Sequence, residues 1–460
     1  MTAWLAQHLA ILMFVALGVG LFCGFPVGFV LGGIGIVFGG IGILLDVFQP
    51  IQFLNYPARV FGAVAANPVL VAIPMFIFMG MVLERSGVAH ELLHCLQVLT
   101  RRIPGGLAMS VTLMGTIMAA TTGIVGASVI MLTLIALPAM IERGYNKELA
   151  VGTIASAGTL GILIPPSIML VVMGDLLQVS VGTLFAAAFV PGFVLSALYL
   201  GYIGAVSFRW PMLAPPLPAD SGPKTRGQYL GMIATGIFPP TFLIALVLGS
   251  IFGGWATPTE AAGVGAFGAL LLALARRRLT RQMMRETVLQ AGLTNAMVFL
   301  LFFGATLFAY VFRALGGDEV VRGLMVSAGL DSAWEIFIFV QVLVFALGFF
   351  FDWIEICLIV LPVFAPLLQG LDFSSHAGAG VMFLTWFIIT LSVNLQTSFL
   401  TPPFGFALFC MRGTMPPQVT MAHLYRGIVP FVLLQVVGLI LCISFPGIAL
   451  WLPRVTGLLD

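Results

Sequence analysis

The chain has 460 residues, of which 60% are hydrophobic and only 8% charged, with a formal net charge of +2. A soluble domain carries about 25% charged residues. The composition is therefore that of an all-α polytopic membrane protein, with room for about 11 to 13 segments of roughly 20 residues. It argues against a nucleic-acid partner. The five cysteines (Cys23, Cys95, Cys357, Cys410, Cys442) are scattered through apolar stretches and read as buried small residues, neither a disulfide framework nor a metal cluster.

The N-terminus has no basic region and no small-residue cleavage site, so its first apolar run is expected to be a retained span. Residues 1–100 read as scaffold spans. His90 and His94 have i, i+4 spacing beside Cys95, but the better reading is a solvated helix face near Arg101. Orientation follows from Lys and Arg. The run ARRRLTRQMMRE (Ala275 to Glu286) holds five arginines and belongs in the cytoplasm, as do Arg101–Arg102 and Arg143 with Lys147. Between Arg102 and Arg143 one crossing would break the charge rule, and two would need about 40 residues plus a turn. With a turn-like start at Pro104–Gly106 and an exit at Pro138, a re-entrant helical hairpin fits, entering from the cytoplasm with its tip at Gly123 to Ser128.

This hairpin and the next segment, GTLGILIPPSIMLVVMG (Gly158 to Gly174), make a first transport unit over 101–182. Two adjacent prolines remove two backbone donors and free carbonyls upstream. Lipid cannot satisfy those groups, so the break must line a cavity or lie within protein. Residues 183–330 read as central scaffold spans, with an exposed, extended polar linker at 207–227. A second unit follows over 331–413. Asp331, Glu335 and Asp372 flank an apolar segment, and no Lys or Arg lies between Arg322 and Arg412. That predicts a hairpin entering from the periplasm with its tip near Asp352. A second diproline break follows in NLQTSFLTPPFGFALF (Asn394 to Phe409), and 414–460 supplies a C-terminal span. ASVIMLTLIALP lies over FDWIEICLIVLP without a gap, pairing Ser128 with Asp352 and Pro138 with Pro362. Similar units of opposite orientation, each with a broken span, mark an inverted-repeat secondary transporter.

The chemistry concentrates at four places. Gly126, Ala127 and Ser128 form the first tip. At the second, Asp352 is an acid at bilayer depth, expected to bind a cation or to cap its helix, roles that are compatible. Ser156, Thr159 and Ser167 surround Pro165 and Pro166; Asn394, Gln396, Thr397, Ser398 and Thr401 surround Pro402 and Pro403. Unwound carbonyls and hydroxyls supply the oxygen ligands that sodium wants. Half-helices predicted to begin at Pro166 and Pro403 point positive ends at the breaks and suit a carboxylate, with Ser167 and Thr401 placed to bond it or to act only as caps. Asp175 belongs either to this site or to a surface loop. No nucleophile, base and orienting group appear together, so an enzyme is not expected.

These residues resemble the large membrane subunit of tripartite ATP-independent periplasmic (TRAP) transporters, the DctM type, from about Ile11 to Pro446. The motifs are IPMFIFMG at Ile73, PAMIERGY at Pro138, IPPSI at Ile164, GGWATPTEAAGVGAF at Gly253 and TSFLTPPFGFALF at Thr397. The resemblance implies an elevator-type fold, in which a transport domain of two hairpins and two broken helices slides against a scaffold. It implies a small four-helix membrane subunit (DctQ type), a periplasmic solute-binding protein (DctP type), sodium as the coupling ion with no other cofactor, an organic acid as substrate, and the bacterial inner membrane. It also implies Gly126, Ser128, Gly161 and Pro165 for one sodium ion and Asp352, Thr397 and Thr401 for another. The carboxylate would lie near Ser167 and Thr401, between Pro166 and Pro403. Many members have a tip resembling G-S-S-x-A; here it is Gly126-Ala127-Ser128-Val129-Ile130, one hydroxyl fewer. The main alternative is a stand-alone ion-coupled anion transporter of related fold; a membrane scaffold or anchor subunit is a third reading, opposed by the polar breaks.

Overall fold

Backbone polar groups in hydrocarbon must be bonded within the chain, which leaves helices as the available element. The computed structural model describes residues 2–122, 125–216, 225–402 and 405–459, and no strand occurs among them. The first helices are α1 (Thr2–Phe22), α2 (Val27–Leu44) and α3 (Pro50–Val60), which runs into one π-turn at Phe61–Ala65. Then come α4 (Ala72–Arg85), α5 (Val88–Thr100), α6 (Gly106–Thr122), α7 (Val125–Glu142), α8 (Lys147–Thr159), α9 (Ile168–Leu177) and α10 (Val181–Arg209). The central part holds α11 (Arg226–Gly236), α12 (Phe238–Phe252), α13 (Pro258–Ala275) and α14 (Arg281–Ala314). The chain closes with α15 (Gly317–Ser327), α16 (Ala333–Leu347), α17 (Trp353–Leu368), α18 (Val381–Leu400), α19 (Phe406–Arg412), α20 (Met421–Ser444) and α21 (Gly447–Val455).

Among the described residues, seven helices are long and apolar enough to cross a membrane, and two more pairs, α4–α5 and α11–α12, qualify as spans bent by 62° and 43°. The arms of the second hairpin do not reach across. The 15 residues of α16 extend about 22 Å, short of the roughly 30 Å hydrocarbon core. Both predicted hairpins close on themselves. The Tyr145 hydroxyl, just past α7, accepts from the Leu107 N–H at the start of α6 (3.2 Å). At the second hairpin, Trp334 at the start of α16 meets Phe373, just past α17, with ring centroids 4.9 Å apart. Ser374 holds the Asp372 carboxyl below the usual range, as fits an acid at the watery end of this hairpin. Two details differ from the sequence reading. α7 runs through Pro138 to Glu142 instead of ending there. The linker is not a free extended connection throughout: Leu213 and Ala214 accept from the Asn146 and Gly105 N–H groups, and so dock at the base of the first hairpin.

The repeat is longer than its sequence trace. Each half runs through an apolar helix, a short amphipathic helix, a hairpin, a broken helix and a further long helix: α4 to α10, then α14 to α20. The turn from span to amphipathic helix is made by Gly87 in one half and Gly316 in the other, both at φ +78°, a conformation that favours glycine. Packing is exchanged between halves. α2 lies on α14 and α13 on α4; α7 lies on α19 and α17 on α9. The arginine-rich turn after α13 faces the cytoplasm by the charge rule, and it carries its neighbours with it. Arg85 at the end of α4 pairs with Glu286, and Arg276 pairs with Glu91 on α5. His90 and His94 are exposed on that helix, as the solvated-face reading expects. The 34 residues of α14 extend about 51 Å, so Arg313 and α15 lie at the opposite, periplasmic end.

α2 and α14 approach until backbone touches backbone. A Cβ on Gly304 would overlap the carbonyl oxygen of Gly28, and one on Gly28 would lie 2.9 Å from that of Leu300. Small residues at such crossings permit the dispersion contacts on which helix association in lipid depends. Gly304→Leu is expected to destabilise the protein by at least the roughly 1–3 kcal/mol of an overpacked core, read as a fall in the thermal unfolding midpoint in detergent. Gly292→Leu, on the same helix but in open space, should leave that midpoint unchanged; equal losses in the two variants would refute the close crossing.

Candidate functional site

At the first break α8 ends at Thr159, one 3₁₀ turn covers Leu160–Ile162, and the backbone is then irregular through a cis Pro165–Pro166 peptide. The second half-helix starts at Ile168, not at Pro166 as predicted, because Ser167 is still extended. Pro165 and Pro166 have no N–H, so the carbonyls of Gly161 and Ile162 lose their helical donors. The Ser167 hydroxyl donates to Ile162 O across the gap and makes no cap bond. Its single hydrogen is thus committed to a freed carbonyl.

The second break follows the same rule. α18 ends at Leu400, Thr401 is extended, and α19 begins at Phe406 after Gly405 at φ +43°. That start is three residues beyond the predicted Pro403, which lies outside the described residues. Pro402 would orphan the Ser398 carbonyl, which instead accepts from the Thr401 N–H (3.1 Å). The hydroxyls of Thr397 and Thr401 donate to the carbonyls of Val393 (3.0 Å) and Thr397 (2.8 Å). Such hydroxyls have no hydrogen left for an anion, yet their oxygens keep lone pairs that a cation can use.

The tips meet these breaks crosswise. A Cβ built on Gly126 would lie 3.3 Å from Cys410 Sγ and 3.4 Å from the Phe406 ring, so the first tip rests on α19. Ser128 is buried in the first turn of α7. Its neighbour Val129 abuts α8, with backbone atoms 3.1 and 3.2 Å from a Cβ on Gly158. Gly123, the predicted start of this tip, lies outside the described residues. At the second tip Asp352 N-caps α17, accepting from the Trp353 N–H at 2.8 Å, while Glu355 accepts from the Asp352 N–H at 3.3 Å. The capping reading of Asp352 is therefore met. Cys410 of α19 lies against the first tip. Glu355, a second acid at the tip, was not anticipated, although Asp-x-x-Glu ahead of an apolar run is a legible capping pattern.

Buried amides bond these elements to one another, and Gln396 bridges the two units. Gln396 Nε2 reaches Thr159 Oγ1 and the Tyr199 hydroxyl, each at 3.4 Å. Asn394 Nδ2 donates to Gln341 O (2.6 Å) and Oε1 (2.8 Å), and Gln341 Nε2 to Thr390 Oγ1 (3.2 Å). The sequence reading singled out Asn394 and Gln396 but missed Gln341 and Tyr199, whose signal is a lone polar group in an apolar run. Asp175 sits away from this centre, in the last turn of α9, with its Oδ1 accepting from Asn67 Nδ2 at 2.6 Å.

Gly348 permits the second tip to seat, since a Cβ there would overlap Oγ and Cβ of Ser398 on α18. Gly348→Ala should lower the thermal unfolding midpoint by several degrees, and adding Ser398→Gly should restore most of it. Absence of rescue would show that the tip does not rest on Ser398.

The model of the tripartite ATP-independent periplasmic transporter DctM component matches residues 14–448. The chain is 29% identical over 416 residues to the C4-dicarboxylate TRAP transporter large permease protein DctM of Pseudomonas aeruginosa, covering 90% of this chain and 92% of that one. It is 29% identical to the ectoine/5-hydroxyectoine large permease UehC of Ruegeria pomeroyi (83% and 85% covered) and 27% identical to the 2,3-diketo-L-gulonate large permease YiaN of Escherichia coli (96% and 98% covered). Among solved structures, the YdaH transporter of Alcanivorax borkumensis shares the fold at a TM-score of 0.58, with 15% identity and 88% of each chain covered. On this match over nearly its whole length, the chain belongs to the DctM family, the large permease component of TRAP transporters, and is a multi-pass protein of the bacterial inner membrane.

Proposed function

We propose that this permease imports an organic acid by coupling it to sodium in an elevator cycle. The observation that carries the reading is the convergence of two hairpin tips, inserted from opposite faces, on two broken helices, with Asp352 at one tip. A carboxylate at this depth costs several kcal/mol unless paired or bound to a cation. Thr397 and Thr401, with hydrogens already spent on carbonyls, suit one sodium ion beside Asp352; Gly126, Ser128, Gly161 and Pro165 suit a second. The Gly161 carbonyl, left without a helical donor by Pro165, is the most direct support for that second set. Sodium neutralises the acid and orders the tips, which completes an anion site near Ser167 and Thr401. To serve there, Ser167 must turn its hydrogen from Ile162 O and Thr401 its own from Thr397 O.

The transport domain in this reading comprises 101–182 and 331–413, moving against the scaffold spans of 1–100 and 183–330. A periplasmic binding protein delivers the substrate and a small membrane subunit braces the scaffold, as the word tripartite in the family name implies. Relatives named for C4-dicarboxylate and 2,3-diketo-L-gulonate, both organic acids, support the substrate class. The stand-alone alternative is not favoured by this family membership.

Asp352→Asn is expected to cut sodium-dependent uptake at least tenfold, a loss of about 1.4 kcal/mol or more of coupling. The assay uses vesicles holding all three components and the ligand that co-purifies with the binding protein. Glu355→Gln should cost less, because its role at the tip is a backbone cap. Unchanged sodium dependence in Asp352→Asn would reject the cation role.

A further inference from the structure

Away from both breaks, a cavity of about 760 Å3 opens between α3 and α14 on one side and α9 and α17 on the other. None of the tip or break residues named above lines it. Two arginines on the scaffold side face it. The Arg59 guanidinium lies 4.3 Å over the Tyr310 ring. Arg313, at the periplasmic end of α14, donates through Nη2 to Pro362 O at 2.7 Å. That carbonyl is free because Pro366, four residues on, has no N–H. The bond therefore spans the seam between the α14 scaffold and the second hairpin. The remaining charge on the wall is Asp175, already held by Asn67. The lining is thus net positive by one charge, and among the described residues neither arginine has an acid within ion-pair distance.

A single arginine at a helix end is explained by snorkelling toward water. Two guanidiniums fixed by a ring and a freed carbonyl, each with most of its five N–H donors unspent, form something more specific. Their planar forks match a carboxylate, and Tyr310, Phe302 and Leu358 offer apolar surface for an organic body. We infer that this cavity is an outer capture site, where the carboxylate of an organic acid is held by Arg59 and Arg313 at the periplasmic seam before it reaches the breaks. The inference rests on the transport reading, but its test does not require transport.

The full chain in nanodiscs would carry Ala309→Cys, a small residue of the cavity wall. Anionic and cationic methanethiosulfonate reagents would be compared by site-resolved mass spectrometry. The anionic reagent should be favoured over the cationic one, and either Arg59→Gln or Arg313→Gln should lower the ratio several-fold, with roughly tenfold for the pair. Arg313→Lys, which keeps the charge, should retain the ratio and so separates electrostatics from folding. Succinate, as a probe carboxylate, should slow modification in the parent and not in Arg59→Gln, and its neutral diamide should have no effect. A ratio unmoved by the arginine variants, or no protection by succinate, overturns the capture site. Intact selectivity and protection in a protein without sodium-dependent uptake would count against the proposed function and leave the capture site standing.

Discussion

A proline inside a membrane helix strands a carbonyl, and in hydrocarbon that carbonyl must find another partner. Much of this structure answers that demand. Ser167 reaches back to Ile162 across the first diproline, and the Thr401 N–H closes on Ser398 at the second. Arg313 crosses between elements to reach Pro362. Where the partner is a side chain or a tightened turn, the break is closed within the protein. Where no donor is at hand among the described residues, as at Gly161, whose helical partner is Pro165, the oxygen keeps its lone pairs unspent. The same constraint therefore supplies both the stability of the interrupted helices and the chemistry at their gaps.

The exchange of contacts between halves explains why the breaks meet at all. Because α7 rests on α19 and α17 rests on α9, each hairpin leans on a broken helix of the opposite unit, while Gly158 and Gly348 bring it against the broken helix of its own. Gln396, reaching Thr159 and Tyr199 from α18, adds a polar bridge at the crossing. Glycine sets the spacing: Gly348 against Ser398 and Gly158 against Val129 leave no room for a Cβ without movement.

Much of this was legible because the relevant signals are local. Diprolines mark breaks wherever they stand, basic and acidic flanks give the sides of the hairpins, and the paired Pro138 and Pro362 give the register. What was not legible depends on tertiary partners. The half-helices restart at Ile168 and Phe406 because Ser167 stays extended after the first proline pair and Gly405 takes a positive φ after the second, which no periodicity reports. Gln341 and Tyr199 look like isolated polar groups until α18 is laid beside them. The span-to-surface turns at Gly87 and Gly316 lie in stretches with little shared sequence, so the full length of the repeat emerges only in three dimensions. The docking of Leu213 and Ala214 beneath the first hairpin is hidden by the polar, proline-rich composition around them.

The central claim is that both tips and both breaks form one ion-dependent assembly. Cys410 is a native reporter of it, since it lies in α19 just beyond the second break and touches the first tip at Gly126. The direct measurement is the rate at which a small uncharged thiol reagent labels Cys410 in the purified full chain, in sodium against choline. The account predicts that sodium slows labelling several-fold in the parent and has no effect in Asp352→Asn. Labelling at the same rate in both salts in the parent would contradict it.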